Sequence, residues 1–261
     1  MIDYSIIESI VCNAGEIMKS GISSTDIYIK GRADFVTQKD LEVQNYIFTE
    51  LNKLYPHIGF IGEEEGKNIS NESGMQWILD PIDGTTNYIY GYNMSAISLA
   101  LKDKNKIVFG IVYNPFTNEL FKAIRGEGAY LNDTPIKVAG TNALANALVA
   151  VGTSPYYKNL SVEVFDKIRR IFEESLDIRR SGSAALDLVY VASGRQDAYF
   201  EYNLKPWDYA AGCLILEEAG GMVTDTDGEK LSYEDVIGVV ACCNKSIFDE
   251  LMELGVLDKK N

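Results

Sequence analysis

Residues 77–87 read Trp-Ile-Leu-Asp-Pro-Ile-Asp-Gly-Thr-Thr-Asn: two carboxylates three positions apart, then a glycine, two hydroxyls and an amide. Trp77, Ile78 and Leu79 read as the end of a buried strand, and Pro81, with no N–H to give, stops its ladder. Asp80 and Asp83 then leave the strand end close together, with the Ile82 carbonyl between them. Oxygen donors at this density suit a hard dication such as Mg²⁺. Gly84, Thr85 and Thr86 offer successive backbone N–H groups, and a helical turn starting there aims its positive end at a bound phosphate. An Asp-Pro turn followed by an Asp-Gly turn is ordinary loop chemistry. The Gly-Thr-Thr-Asn that follows directly favours a metal and phosphate site.

Other acidic positions carry a structural explanation beside the chemical one. Phe60-Ile61-Gly62 reads as an apolar strand ending in Glu63-Glu64-Glu65, and three glutamates at a loop usually form a solvated patch. Thr37 and Asp40 have capping-box spacing, which explains Asp40 completely. Asp208 precedes a helical stretch, where aspartate is a favoured N-cap. Asp225-Thr226-Asp227-Gly228 opens like a calcium loop, but the later ligand positions are wrong and a surface turn is the better reading.

Composition narrows the chemistry. With one histidine, His57, the chain of 261 residues has no histidine-cluster zinc site and a poor case for Ser-His-Asp hydrolysis. Its four cysteines show no CxxC spacing, and Cys12, Cys213 and Cys242 sit in apolar stretches as reduced core residues. Walker and GxGxxG loops are missing. An enzyme built from this chain works with carboxylates, hydroxyls and metal. The formal net charge of -14 repels nucleic acid and anionic membranes, so neither is an expected partner. An anionic substrate would need bound cations, although the charge is equally explained as a solubility feature. No apolar run approaches the roughly 20 residues of a membrane span. With the acidic start Met1-Ile2-Asp3, a soluble cytoplasmic protein is expected.

The elements that must position these groups follow from hydrophobic period. Ile6, Ile7, Ile10, Val11, Ala14, Ile17 and Met18 recur at helical spacing, giving a helix over 3–20, and a second is expected over 41–55. Residues 94–138 read as a mostly antiparallel sheet, with Ile107–Tyr113 and Leu120–Ile124 as a hairpin. Helices are expected at 161–174, 183–192, 208–219 and 246–254, and strands at 147–151, 198–201, 221–224 and 236–242. Helices covering sheets make an α+β layered architecture. One domain is expected, with a half over 1–140, a half over 141–261, and a boundary within 140–146.

Two stretches together carry a resemblance. Asp80-Pro81-Ile82-Asp83-Gly84-Thr85-Thr86-Asn87 resembles the first signature of the inositol monophosphatases and their lithium-sensitive relatives. Lys205-Pro206-Trp207-Asp208-Tyr209-Ala210-Ala211-Gly212, running to Gly221, is similar to the second. The likeness covers nearly the whole chain. It implies a layered α-β-α-β-α sandwich of the inositol monophosphatase and fructose-1,6-bisphosphatase type, two or three Mg²⁺ ions, and a homodimer. It also implies a Mg²⁺-dependent phosphomonoesterase in which metal-activated water attacks the phosphorus of inositol monophosphate or a similar small polyol phosphate.

Carried onto this sequence, the metal ligands are Glu63, Asp80, the Ile82 carbonyl, Asp83 and Asp208. Asp40, Glu63 and Thr85 are catalytic, with Asp40 and Thr85 relaying a proton from the attacking water. Asp83, Gly84, Thr85, Thr86, Arg179, Ser183, Ala184, Glu201 and Asp208 bind substrate, and Lys30 and Ser154 lie near it. Glu201 favours an inositol-type substrate over the fructose-bisphosphate and nucleotide-bisphosphate branches. The run Ile89-Tyr90-Gly91, Asn93 and Lys205-Pro206 depart from common family choices on the rim, where they bear on substrate preference.

Overall fold

The computed structural model describes residues 2–21, 27–31, 34–64, 69 and 74–256. Helix α1 (Tyr4–Lys19) is followed by the hairpin β1 (Ile27–Gly31) and β2 (Asp34–Thr37), then helix α2 (Gln38–Leu54). Strands β3 (Gly59–Gly62) and β4 (Met75–Asp83) lead into the short helix α3 (Thr85–Ile89). Antiparallel strands follow: β5 (Ala96–Asp103), β6 (Lys106–Asn114), β7 (Glu119–Ile124), β8 (Ala129–Leu131) and β9 (Thr134–Pro135). Next come β10 (Leu148–Val151), α4 (Ser161–Glu174), β11 (Asp177–Arg179), α5 (Ala184–Ala192) and β12 (Ala198–Leu204). The last described elements are α6 (Pro206–Glu218), β13 (Met222–Asp225), β14 (Ile237–Cys242) and α7 (Lys245–Glu253).

Strands β3 to β9 lie in sequence order in a seven-stranded sheet, and a five-stranded sheet has the order β11-β10-β12-β14-β13. Period-2 alternation decides what each face buries. Trp77 and Leu79 pack with Ile7, Val11, Val43 and Ile47 under α1 and α2. Ile78 between them faces the opposite way, onto α5 and α6. In the second sheet Ala150 joins that same middle layer, whereas Val149 and Val151 pack outward on α4 and α7. The layers therefore run helix, sheet, helix, sheet, helix, the expected α+β sandwich. Lying between two sheets, α6 is buried nearly all round from Tyr209 to Leu216. No described helix is long and apolar enough to cross a membrane.

Three local differences from the sequence reading matter for the site. Pro81 does not stop its strand: β4 continues to Asp83 through an irregularity in which Asp80 pairs with Ser98 and Asp83 with Ala96. Three steps on β4 thus oppose two on β5. The extra residue is a bulge, which re-aims side chains without ending the sheet. Helix α2 starts at Gln38 rather than 41, so Asp40 is a first-turn residue behind the N-cap Thr37. Helix α6 starts at Pro206, a residue suited to the first turn, so Asp208 is the third helical residue and not the N-cap.

Candidate active site

The β4 bulge and the turn after it shape the centre of the site. Asp80 Oδ1 accepts from Ile82 N–H at 2.9 Å, folding the carboxylate back over the bulge. Gly84 then takes φ 85, the left-handed region where a side chain is strained. A Cβ there would also lie 2.9 Å from the Met94 carbonyl oxygen. Asn87 Nδ2 donates to Met94 O at 2.7 Å and to Ser181 O at 2.9 Å, tying the first signature to the segment before α5.

Strand β3 and helix α2 deliver the next groups. Glu63 follows Gly62, and its N–H extends the parallel β3–β4 ladder to Leu79 O at 3.0 Å. The next residue is pinned from α2: Gln44 Nε2 donates to Glu64 O at 2.8 Å, and Glu64 N–H donates to Gln44 Oε1 at 3.1 Å. One helical turn before Gln44, buried Asp40 accepts from Thr37 N–H at 2.8 Å and Thr37 Oγ1 at 2.5 Å, both on Oδ2. Its other oxygen lies 3.3 Å from Thr85 Oγ1, which also reaches Ile82 O at 3.0 Å. The capping box and the contact to Thr85 thus use different oxygens of one carboxylate. From α6, Asp208 Oδ2 accepts from Lys205 N–H at 2.7 Å.

Two cavities meet here. The smaller, about 60 Å³, is lined by Glu63, Asp80, Ile82, Asp83, Asn203 and Asp208, among others. The larger, about 190 Å³, is lined by Thr86, Gly152, Arg180, Ala184, Asp187 and Glu201 among others. Asp83, Gly84, Thr85, Tyr156 and Asp208 border both. Ser183 does not line the larger cavity; it is buried, and its hydroxyl and the Ala185 N–H both donate to Asp83 Oδ2. Ser154 is also buried, its N–H donating to Glu201 Oε1 at 3.1 Å and its hydroxyl to Tyr202 O at 2.7 Å. It braces a wall of the pocket instead of lining it.

Arg179 is a correction. It sits exposed on β11 with its guanidinium on Asp177 Oδ2 at 2.5 Å, and Arg180 is the arginine lining the cavity. Strand β11 puts positions 177 and 179 on one face and ends at Arg179, so Arg180 belongs to the segment that leads to α5. The Lys30 side chain lies outside the described residues, as does Glu65. Arg180, Asp187, Gln44 and Tyr199 were not picked out from sequence. Arg180 adjoins a candidate that was, and a buried aspartate inside the apolar run of α5 was the signal for Asp187.

The sequence comparison decides the family. A profile described as the inositol monophosphatase family matches residues 3–254. The chain belongs to the inositol monophosphatase family. It is 41% identical over 234 residues to the inositol-1-monophosphatase of Rhizobium meliloti, covering 89% of this chain and 87% of the relative. Similarity is as high, 43% over 236 residues, to the Nus factor SuhB of Haemophilus influenzae, covering 90% and 87%. Among solved structures, the extragenic suppressor protein suhB of Bartonella henselae superposes with a TM-score of 0.89 at 37% identity, covering 96% of this chain and 97% of that one. An IMPase/NADP phosphatase complexed with Mg²⁺ and phosphate has a TM-score of 0.84 at 26% identity, covering 96% and 93%. The chain is an inositol-monophosphatase-like phosphoric monoester hydrolase of the inositol monophosphatase fold.

Electrostatics test whether this member of the inositol monophosphatase family suits a cation. Burial, then the charges of Glu63, Asp83 and Asp208, push the Asp80 carboxyl well above the ordinary range. Burial, then Glu63 and Asp83, do the same to Asp208. Asp83 is raised to about 6 by burial, against the lowering effect of its bonds from Ser183 and Ala185. A dication among these groups reverses the balance, because its charge favours every ionised form. Asp80, Asp83 and Asp208 each commit one oxygen to a protein donor, which orients the other. The donor set is all oxygen and mostly anionic, so it fits Mg²⁺. Among the described residues no three His, Cys, Asp or Glu are grouped to hold an ion by themselves, so the Ile82 carbonyl and water would complete its shell.

Proposed function

We propose that this protein hydrolyses inositol monophosphate, or a similar small polyol phosphate, to the alcohol and inorganic phosphate with Mg²⁺. The observation carrying this reading is the adjacency of the two cavities: a carboxylate-walled chamber shares Asp83 and Thr85 with a pocket walled by Glu201. Glu63, Asp80, the Ile82 carbonyl, Asp83 and Asp208 would hold two or three ions. Bound Mg²⁺ supplies positive charge that lowers the pKa of water and offsets charge on the phosphate and the departing alkoxide.

The remaining work belongs to the protein. Backbone N–H groups at Gly84, Thr85 and Thr86 face the phosphate. Glu63 orients the attacking water, and Thr85 passes its proton to Asp40. Burial raises Asp40 to about 6 although the bonds from Thr37 lower it, a value near neutrality that suits a proton acceptor. As water adds to phosphorus, the ester P–O bond breaks, the alkoxide takes a proton from a solvent water, and Asp40 returns its proton to solvent. Glu201 accepts hydrogen bonds from substrate hydroxyls, and Arg180, rather than Arg179, offers the facing cation. By family likeness the enzyme acts as a homodimer in the cytoplasm.

Phosphate release should be measured with Mg²⁺, with and without EDTA. The substrates are inositol 1-phosphate, glycerol 2-phosphate, fructose 1,6-bisphosphate and adenosine 3',5'-bisphosphate. Metal-dependent turnover highest on the inositol ester is expected. Preference for either bisphosphate moves the protein to a sister branch, and no turnover on any ester refutes the enzymatic reading. The similarity to relatives named Nus factor SuhB supports a second reading, a role of that kind beside or in place of catalysis. A catalytically silent Asp83→Asn chain that restores growth to cells lacking this protein would favour it.

A further inference from the structure

Glu201 is held more firmly than a pocket wall requires. It is reached on β12 from Tyr199, two residues earlier and on the same strand face, whose hydroxyl donates to Glu201 Oε2 at 2.7 Å. Tyr199 is fully buried and does not line the cavity, so its route to a substrate runs through Glu201. The other oxygen, Oε1, accepts the Ser154 N–H at 3.1 Å, from a residue in the left-handed region at φ 43. Behind the carboxylate stands Gly152, where an added Cβ would lie 1.8 Å from the Glu201 carboxyl carbon. The glycine leaves the space the carboxylate fills, and the tyrosine sets its direction.

We infer that Tyr199 is the positioning residue for alcohol selectivity, aiming the Glu201 carboxylate so that its remaining lone pairs meet substrate hydroxyls. The inference rests on the function proposed above. Burial raises the Tyr199 hydroxyl well above its ordinary pKa, so it stays a donor across the working range. The phosphate end of the substrate is handled at Asp83, Gly84 and Thr85, whereas the Tyr199 hydroxyl bonds to Glu201. Loss of the tyrosine hydroxyl should therefore be felt by esters with a hydroxylated ring and not by those without.

The test is Tyr199→Phe, assayed with Mg²⁺ on myo-inositol 1-phosphate and on 4-nitrophenyl phosphate, which has no ring hydroxyls. For the inositol ester KM should rise about tenfold with kcat little changed, the scale of one hydrogen bond to a charged group. On 4-nitrophenyl phosphate both constants should stay within about twofold, which also reports an intact fold. Gly152→Ala, which displaces the same carboxylate from the other side, should give the same split with a greater loss. An unchanged ratio of kcat/KM between the two esters in Tyr199→Phe overturns the inference alone. A wild-type enzyme that does not prefer the inositol ester removes the proposed substrate and this inference with it.

Discussion

On one side of Asp83 the carboxylates crowd each other, and on the other they meet donors. Asp80 and Asp208 each take one backbone N–H and are raised chiefly by burial and then by neighbouring negative charge. Glu201 is also raised by burial, yet the Tyr199 hydroxyl and the Ser154 and Thr153 backbone pull it back down. Buried charge costs several kcal/mol unless paired or hydrogen-bonded. The protein meets that cost itself around Glu201 and leaves it unmet around Asp80, where a cation would offset it. A compensated carboxylate can select hydroxyls, and an uncompensated cluster can concentrate metal.

The most severe way to break the comparison is at the residue both cavities share. Asp83→Asn keeps an acceptor for Ser183 and Ala185 but lowers the charge of the chamber. Turnover should fall by about a thousandfold or more, with circular dichroism and thermal midpoint close to wild type. Retained turnover would place the metal site elsewhere. Next, Asp40→Asn should cost about a hundredfold in kcat, the scale of one general base. At saturating Mg²⁺ the wild-type rate should rise with pH along a limb at or below about 6, as expected of ionised Asp40 acting as the acceptor with cations nearby favouring its ionised form, and the variant should lose that limb. A limb unchanged in the variant would remove Asp40 from the relay.

Mg²⁺ itself should raise the thermal midpoint, by the equivalent of about 2.7 kcal/mol at one hundred times its Kd. Asp80→Asn should weaken that rise, and an equal rise in both proteins would show binding outside the chamber. The smallest effect sharpens the other side of the comparison. Asp187, lining the larger cavity, accepts from Ser181 Oγ at 2.7 Å and Gln196 Nε2 at 3.3 Å, yet burial still raises it to about 7. Its folded pKa exceeds the ordinary 3.8, so its contribution to stability is full below about 4 and is lost as pH rises to about 7. Metal-free Asp187→Asn should lose less stability than wild type over that window in chemical denaturation. Parallel curves would show that Asp187 titrates normally.

Hydrophobic period was enough to expect helices now found at Tyr4–Lys19, Ser161–Glu174 and Lys245–Glu253, within a residue or so at each end. These elements bury a stripe whose spacing is local. The sequence carries no expectation of the β1–β2 hairpin or of β11. In the sequence Pro81 announces a lost donor and so marks a strand end, while only the partner strand reveals whether pairing resumes.

The sequence by itself determined which chemistry was available: oxygen donors clustered at Asp80 to Asn87, a single histidine, and helix starts that already bracket Asp40 and Asp208. Its resemblance to a family then assigned roles that capping alone would have absorbed. The tertiary structure decided which oxygen of Asp80, Asp83 and Asp208 is bonded to the fold and which is left over. It turned Ser183 onto Asp83 across 100 residues, locked Gln44 to Glu64 across 20, and brought Arg180 rather than Arg179 to the pocket. Those outcomes depend on strand phase and on contacts between distant segments, and neither is written in the spacing of residues along one element.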